Sequence, residues 1–326
     1  MIPSPAAARA CLVLAAILWS LGSVLMRLLQ RDLGLGLHSP PLSSLQIAFY
    51  RGLFGGLFML LLVRRGELRF RPLMLAMVVT FAVMSGLYLS ALGYGAAANA
   101  IFLQNTAPVW VFLFAVVFLG ERGDRRGWQS VLFAATGAVV IVAGGWPTNS
   151  APERQREEIV VLLMGLGSGV VYAMVVMFLR VMRDQSPVWL VALNLLGSAL
   201  VLGLFVVATE GVAGFARWVA APSAAQFAVL AAGGILQMGV PYWLFTRSLR
   251  AVTPQEAAII TLIEPLLNPV WAYLLTPSTD TPTPSMFAGG GLILLALVWK
   301  YFPRRDGPIV VRGIETEGRL SGRDMP

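Results

Sequence analysis

Residues 109–119 read VWVFLFAVVFL and residues 293–298 read ILLALV, two uninterrupted apolar stretches. The strands of a membrane β-barrel alternate between lipid-facing apolar and lumen-facing polar residues over about ten positions. Neither stretch alternates in this way. Both therefore predict helices within the hydrocarbon core of a membrane, where a helix satisfies its own backbone hydrogen bonds.

The composition extends this interpretation to the whole chain. Apolar residues make up 57% of the 326 residues and charged residues only 12%, against about 25% charged residues in soluble domains. A membrane-crossing helix needs about 20 apolar residues, so ten crossings account for about 200 residues. We predict an all-α integral membrane protein with ten transmembrane helices, near residues 11–30, 42–63, 73–92, 97–119, 128–146, 159–181, 188–208, 225–247, 255–275 and 285–302.

The charge distribution indicates the orientation and excludes nucleic acid as a partner. The net charge is +8, but the basic residues cluster in short loops between apolar runs, which is typical of membrane insertion and not of phosphate binding. The positive-inside rule places both termini in the cytoplasm. The basic residues assigned to the inside are Arg9, Arg64, Arg65, Arg69, Arg71, Arg122, Arg125, Arg126, Arg180, Arg183, Arg247, Arg250, Lys300, Arg304, Arg305, Arg312, Arg319 and Arg323.

The polar segment 147–158 (PTNSAPERQREE) divides the chain into two halves of five predicted helices. An odd number of helices per half makes the second half enter the membrane from the opposite side, so we predict two inverted five-helix repeats. The predicted parts are a cytoplasmic N-terminus (1–10), a first repeat (11–146), an outer linker (147–158), a second repeat (159–302) and a disordered cytoplasmic tail (303–326).

Residues 209–224 contain Phe215 and Trp218 and lie between two predicted spans on the outer side. We predict a plain loop with an aromatic anchor. A segment that lies in the membrane interface is the alternative.

The chain lacks the residues that several site chemistries require. Its one cysteine, Cys11, cannot form an intrachain disulfide, and its one histidine, His38, cannot build a His-rich metal site, so no metal or other cofactor is predicted. The glycine runs at 165–169 and 289–291 lie inside spans with no preceding strand, which favours close helix packing over phosphate-binding loops. An intramembrane lipid-modifying enzyme remains the alternative of a different class, and it would need paired carboxylates or a metal site.

Arg51 and Glu264 are the two ionisable residues deep within predicted spans. Each is a functional candidate because charges are costly in hydrocarbon. Counting 1.5 Å per residue from the predicted helix starts places both about 13 to 14 Å deep. We hypothesise that Glu264 pairs with Arg51 and releases it on protonation or substrate binding, which would couple export to proton entry. A fixed ion pair, or an Arg51 bonded to helix carbonyls, is the alternative.

Pro108 and Pro265 each remove a backbone donor from the middle of a span, which frees a carbonyl that can kink the helix and face a cavity. Polar residues surround both prolines, an arrangement typical of the substrate site of a secondary transporter. The alternative is that these side chains only bond helix to helix. The predicted substrate-binding residues are Tyr88, Gln104, Asn105, Trp110, Thr261 and Asn268.

Several motifs resemble the EamA-type exporters of the drug/metabolite transporter superfamily. In the first half they are Ile17-Leu-Trp19-Ser-Leu-Gly22, the lone Arg51, and helix four from Ala107-Pro108 to Phe118-Leu-Gly120-Glu121-Arg122. In the second half they are Glu256-Ala-Ala258, Leu262-Ile-Glu264-Pro265-Leu266 and Trp271.

This resemblance covers residues 10–302. It implies two inverted repeats around a central cavity and secondary export of amino acids, related small metabolites or drugs across a bacterial inner membrane. A sugar-phosphate or nucleotide-sugar carrier of the same superfamily is the alternative. One departure is that Thr276-Pro277-Ser278 replaces the Gly-Glu expected after helix nine, which predicts a changed connection there.

Overall fold

The computed structural model describes residues 4–146 and 151–301, and within those residues ten helices are long and apolar enough to cross a membrane. The described residues form no strand, and the predicted all-α fold with ten transmembrane helices is confirmed. The helices are α1 (Pro5–Gln30), α2 (Ser44–Leu62), α3 (Leu73–Tyr94), α4 (Ala97–Leu119), α5 (Arg125–Gly144), α6 (Pro152–Val181), α7 (Pro187–Ala220), α8 (Ala224–Ser248), α9 (Glu256–Leu275) and α10 (Pro284–Tyr301).

Because each helix crosses the membrane once, successive connections alternate between the two membrane surfaces. One surface carries the α2–α3, α4–α5, α6–α7 and α8–α9 connections, and we call it the α6–α7 face. The opposite surface carries the α1–α2, α3–α4, α7–α8 and α9–α10 connections, and we call it the α9–α10 face.

Three helices are interrupted within the membrane, at Leu21 in α1, after Gln104 in α4 and at Leu262 in α9. Pro108 and Pro265 lie in the first turns of the segments that follow the last two breaks. A proline costs no backbone hydrogen bond in the first turn, because the first amides of a helix have no carbonyl partner within it. The prolines therefore set where α4 and α9 break.

The second half also carries a widened turn. Residues Gly234–Gly239 of α8 form a π-helix between two α-helical segments. Such turns commonly mark functional sites, because they rotate the side chains that follow them.

Close helix packing accounts for at least one glycine in each of the two glycine runs. An added Cβ on Gly289 of α10 would lie 2.5 Å from the Gly137 carbonyl oxygen of α5, and one on Gly137 would lie 2.5 Å from the Gly289 carbonyl oxygen. In α6, a Cβ on Gly169 would lie 2.7 Å from the Leu103 carbonyl oxygen beside the α4 break. Any larger residue at these positions would push the paired helices apart.

The predicted outer loop at 209–224 is wrong, because α7 continues as helix to Ala220. Its direction changes at Gly211, whose φ of 74° and ψ of 174° suit glycine. The following turns are held by aromatic contacts with α2, since the Phe49 ring centroid lies 6.2 Å from that of Phe215 and 5.2 Å from that of Trp218. These long-range contacts stabilise a helix that the local sequence does not favour.

Two helices begin six or seven residues earlier than predicted. The α1 helix begins at Pro5, where the Ser4 hydroxyl accepts a hydrogen bond from the Ala7 amide at 3.3 Å. The α6 helix begins at Pro152, within the segment predicted as the outer linker. Serine before the first turn and proline within it are strong helix-start signals.

The predicted disordered tail, 303–326, lies outside the described residues.

The α9–α10 connection, where the sequence predicted a changed structure, forms a short helical turn at Pro277–Asp280. Asp280 is only 4% exposed and forms a salt bridge with Arg27 near the end of α1. The two residues are buried where the ends of α1, α3 and α9 meet.

Candidate functional site

A cavity of about 510 Å³ lies between the two halves at the depth of the helix breaks. Every helix except α5 contributes to its lining. It reaches the surface at the α6–α7 face, where the exposed residues Arg183 and Pro187 line it. Its volume falls in the range of roughly 300–1,000 Å³ that is usual for small-molecule sites.

A second hollow, of about 630 Å³, lies between α5 and α6. Its lining has no charged or amide side chain that could orient a polar substrate, so we regard the central cavity as the candidate site. The lining of this hollow consists of Ala138, Val139, Val142, Ala143, Trp146 and Leu166.

The structure brings most of the predicted site residues together around the central cavity. They come from α2, α3 and the interrupted helices α4 and α9, so both repeats contribute. The predicted residues that line the cavity are Arg51, Tyr88, Gln104, Asn105, Pro108, Thr261 and Glu264.

Arg51 is buried in the cavity wall, with only 6% of its surface exposed. Its Nη2 lies 3.0 Å from the Met238 sulfur, a weak acceptor, and its Nε has no hydrogen-bond partner among the described residues. Glu264 lines the same cavity, but no salt bridge joins it to Arg51 in the described structure. The predicted pairing of the two residues stays a prediction. A cation and a carboxylate thus share one cavity without neutralising each other directly.

The breaks in α4 and α9 position the amide and hydroxyl groups of the cavity. At the α4 break, Asn105 Nδ2 donates to the Ile101 carbonyl oxygen at 2.8 Å, which orients the Asn105 side chain. In α9, the Thr261 hydroxyl donates to the Ala258 carbonyl oxygen at 3.1 Å. Each side chain donates a hydrogen bond within its own helix, and its oxygen can still accept a hydrogen bond from a ligand.

Three predicted residues do not line the cavity, and two of them have a clear alternative role. Asn268 is fully buried; its Oδ1 accepts from the Ser23 amide at 3.2 Å, and its carbonyl oxygen accepts from the Ser23 hydroxyl at 2.8 Å. It therefore joins α9 to the broken region of α1. The Trp110 indole donates to the Thr106 hydroxyl at 3.1 Å within α4. Pro265 shapes the α9 break but is not part of the lining.

Two buried amides in the cavity wall were missed by the sequence analysis. Gln237 lies in the π-helix; its Nε2 donates to the Trp19 carbonyl oxygen at the α1 break at 3.0 Å, and its Oε1 has no partner. The Asn194 side-chain oxygen is also buried without a partner. Both are isolated amides within apolar spans, a signal that would have marked them as candidates.

Aromatic rings complete the wall. The Trp19 and Tyr242 rings meet edge to face with centroids 5.1 Å apart, and both line the cavity together with Tyr172 and Tyr88. Aromatic faces attract ammonium groups, and phenol hydroxyls form hydrogen bonds. The cavity therefore combines a buried guanidinium, an exposed guanidinium at its mouth, one carboxylate, several amides and several rings.

Comparisons with known proteins agree with this architecture. The model of the EamA-like transporter family matches residues 8–143 and again residues 159–302. The "Pseudopaline exporter CntI" of Pseudomonas aeruginosa is 25% identical over 290 residues, which span 88% of this chain and 94% of that protein. An "Uncharacterized transporter" of Archaeoglobus fulgidus is 27% identical over 296 residues, which span 89% of this chain and 96% of that protein.

The fold also resembles a solved crystal structure. The TM-score is 0.58, with 91% of this chain and 97% of the other chain covered. Because the sequences are only 16% identical, this likeness concerns the fold alone.

Proposed function

Because the chain belongs to the EamA-like transporter family and is a multi-pass membrane transporter, we propose that it exports amino acids or related zwitterionic metabolites through the central cavity. One observation carries this proposal. Arg51 and Glu264 line the same cavity and form no salt bridge with each other. A substrate that carries both a carboxylate and an ammonium group would neutralise both residues.

The roles of the cavity residues follow from their chemistry. The Arg51 guanidinium offers a carboxylate several donors in a fixed plane, and its unpartnered Nε is one of them. The Glu264 carboxylate accepts from the ammonium group, and the rings of Tyr88 and Tyr242 add attraction for a cation. The Asn194 and Gln237 oxygens lie in the same wall without partners, and they would accept further hydrogen bonds from the substrate.

Glu264 also supplies a means of coupling export to a proton gradient. A carboxylate in a low-dielectric cavity needs a positive partner, either the substrate ammonium or a proton. Because both compete for the same oxygens, a proton binds when the substrate leaves. Substrate would then move outward while a proton moves inward. The sequence contains no ATP-binding loop that would offer another source of energy.

The proposed direction of transport rests on similarity to a named exporter, and the proposed orientation in the membrane rests on the charge distribution. The relative from Pseudomonas aeruginosa is named an exporter, which supports export here but not a particular substrate. The relative from Pseudomonas aeruginosa also supports a bacterial inner membrane as the location. The distribution of basic residues supports an orientation with both termini and the α6–α7 face in the cytoplasm. In that orientation the cavity of this structure opens toward the cytoplasm, where an exporter loads its substrate.

The alternatives fit the cavity less well. A sugar phosphate carries a doubly charged phosphate, which the Glu264 carboxylate would repel in a low-dielectric space. A lipid-modifying enzyme of the kind considered above would need paired carboxylates or a metal. Glu264 is the one acidic side chain among the described lining residues.

A counterflow experiment tests the proposed function. The full chain, purified and reconstituted in proteoliposomes, is loaded with one unlabelled amino acid at a time and offered the same compound in radiolabelled form. We expect labelled amino acid to accumulate transiently for at least one compound and to be recovered chemically unchanged. Formation of a covalent product, or counterflow of sugar phosphates alone, would contradict the proposal.

A further inference from the structure

Arg27 and Asp280 form the most completely buried ion pair in the described part of the chain. Arg27 Nε and Nη2 donate to the two Asp280 oxygens at 2.8 and 2.7 Å, and both side chains are at most 1% exposed. The other described ion pairs have side chains that are at least 32% exposed. The proposed transport chemistry uses neither Arg27 nor Asp280.

The pair lies at the centre of a network that joins the two repeats. The same guanidinium donates to the carbonyl oxygens of Leu92 and Gly95, both at 2.9 Å, at the end of α3. The Asp280 carboxylate also accepts from the Ala97 amide, the first of α4, at 2.8 Å. Residues of α1, α3 and α4 belong to the first half, whereas Asp280 belongs to the second.

Asp280 is held in its charged form. Burial alone would raise the pKa of its carboxyl, but the hydrogen bonds and charge of Arg27, with the Ala97 amide and the Thr276 hydroxyl, bring the pKa below its usual range. The Asp280 carboxylate is therefore charged in the closed arrangement, and every nitrogen of the Arg27 guanidinium donates a hydrogen bond.

The position of the network relates it to access. The cavity reaches the surface only at the α6–α7 face, and its described lining includes no residue of the α1–α2, α3–α4 or α9–α10 connections. Trp19 of α1 lines the cavity, whereas Arg27 lies about 12 Å further along the same span, toward the α9–α10 face. The network thus lies between the depth of the cavity and that face.

We propose that the Arg27–Asp280 pair is the latch that closes the α9–α10 face of the transporter. Alternating access moves one set of helices against the other around the substrate site. Opening the α9–α10 face would separate α1, α3 and α4 from the α9–α10 connection, and the pair would have to break. This proposal goes beyond the substrate and the coupling proposed above and depends on neither.

The energetics of a buried ion pair suit a contact that forms and breaks better than one that only stabilises the fold. Such a pair is often no more stabilising than apolar packing of similar volume, because both charges lose their hydration. Removing one partner, in contrast, leaves an uncompensated buried charge. When the face opens, water enters and solvates both charges together. The pair therefore favours two states, closed and bonded or open and hydrated, over anything between them.

Thiol labelling tests the latch without any substrate, so its outcome is separate from that of the transport experiment. Cys11 is replaced with serine, and Ser85, which lines the cavity, is replaced with cysteine. A membrane-impermeant maleimide is then applied to either side of oriented vesicles. Labelling of Arg125→Cys, at the exposed start of α5 on the α6–α7 face, identifies the side. We expect the Ser85→Cys parent to be labelled mainly from the α6–α7 face.

The Asp280→Asn variant weakens the latch and is expected to raise the labelling rate from the α9–α10 face at least tenfold. The matched control is Asp184→Asn, which removes an exposed partner of Arg71 on the opposite surface. We expect the control to leave that labelling rate unchanged. Equal rates in Asp280→Asn and the parent would overturn the proposal.

A double variant keeps the test decisive if Asp280→Asn fails to reach the membrane. Arg27→Met with Asp280→Leu removes both charges while keeping apolar bulk, which buried sites tolerate better than one lone charge. We expect the same tenfold rise in the labelling rate from the α9–α10 face. A folded double variant that labels like the parent would refute the latch, and absence of both variants from the membrane would also refute it by showing a purely structural role.

Discussion

Replacing Arg51 with methionine is expected to weaken substrate binding about 100-fold or more and to abolish counterflow at low substrate concentration. Arg51 is the only cation in the inner part of the described cavity, and its guanidinium has an unpartnered donor there. A buried bidentate bond to a carboxylate is worth roughly 3 kcal/mol, and each 1.4 kcal/mol changes an affinity about tenfold. Counterflow measured over a range of substrate concentrations gives the change in apparent affinity.

The control for this experiment is Arg183→Met. Arg183 also lines the cavity, but it is exposed where the cavity reaches the surface. Solvent screens its charge, so we expect its loss to change the apparent affinity less than about threefold. Arg51→Met protein that reaches the membrane and binds substrate as tightly as the parent would show that Arg51 does not bind the carboxylate.

Replacing Glu264 with glutamine is expected to abolish transport driven by a pH gradient while leaving exchange at saturating substrate concentration. Glutamine imitates the protonated carboxyl in shape and still accepts a hydrogen bond, but it cannot exchange a proton. If one proton enters for each substrate that leaves, each pH unit supports about a tenfold concentration ratio. The parent should accumulate substrate to that concentration ratio across the membrane. The variant should only equalise the two concentrations.

Glu256→Gln is the matched control, because Glu256 lies at the start of α9, half-exposed, and bonds to Arg9. We expect gradient-driven accumulation to be unchanged in this variant. Full accumulation by Glu264→Gln would exclude Glu264 as the coupling residue. A Glu264→Gln protein that fails to insert in the membrane would indicate a structural role instead.

Hydropathy predicted the ten helices because a membrane is a uniform apolar solvent, and any helix that crosses it must be apolar over its length. The prolines and nearby polar residues located the breaks in α4 and α9 for a similarly local reason. Residues 209–224 were predicted as a loop with an aromatic anchor because they lie between two predicted spans. Their helix depends on the contact of Phe215 and Trp218 with Phe49, which is distant in sequence.

The partner of each side chain was harder to predict than its position along the chain. Glu264 and Asn268 are four residues apart and share one face of α9, yet Glu264 lines the cavity while Asn268 bonds to Ser23. The two residues differ in depth by about 6 Å, and which neighbour packs against α9 at each depth depends on residues distant in sequence. The Arg27–Asp280 pair was missed for a related reason, because its burial depends on the ends of α3 and α4, which neither residue's local sequence indicates.

The central claim is that the cavity recognises both charges of a zwitterion, and analogues that lack one charge test it most directly. For the amino acid with the strongest counterflow, inhibition is compared among the unlabelled compound, its methyl ester, which lacks the carboxylate, and its α-hydroxy acid, which lacks the ammonium group. We expect the zwitterion to inhibit at a concentration at least about tenfold lower than either analogue, because each analogue leaves Arg51 or Glu264 without a partner. Inhibition by the ester or the hydroxy acid at the same concentration as the zwitterion would contradict the account.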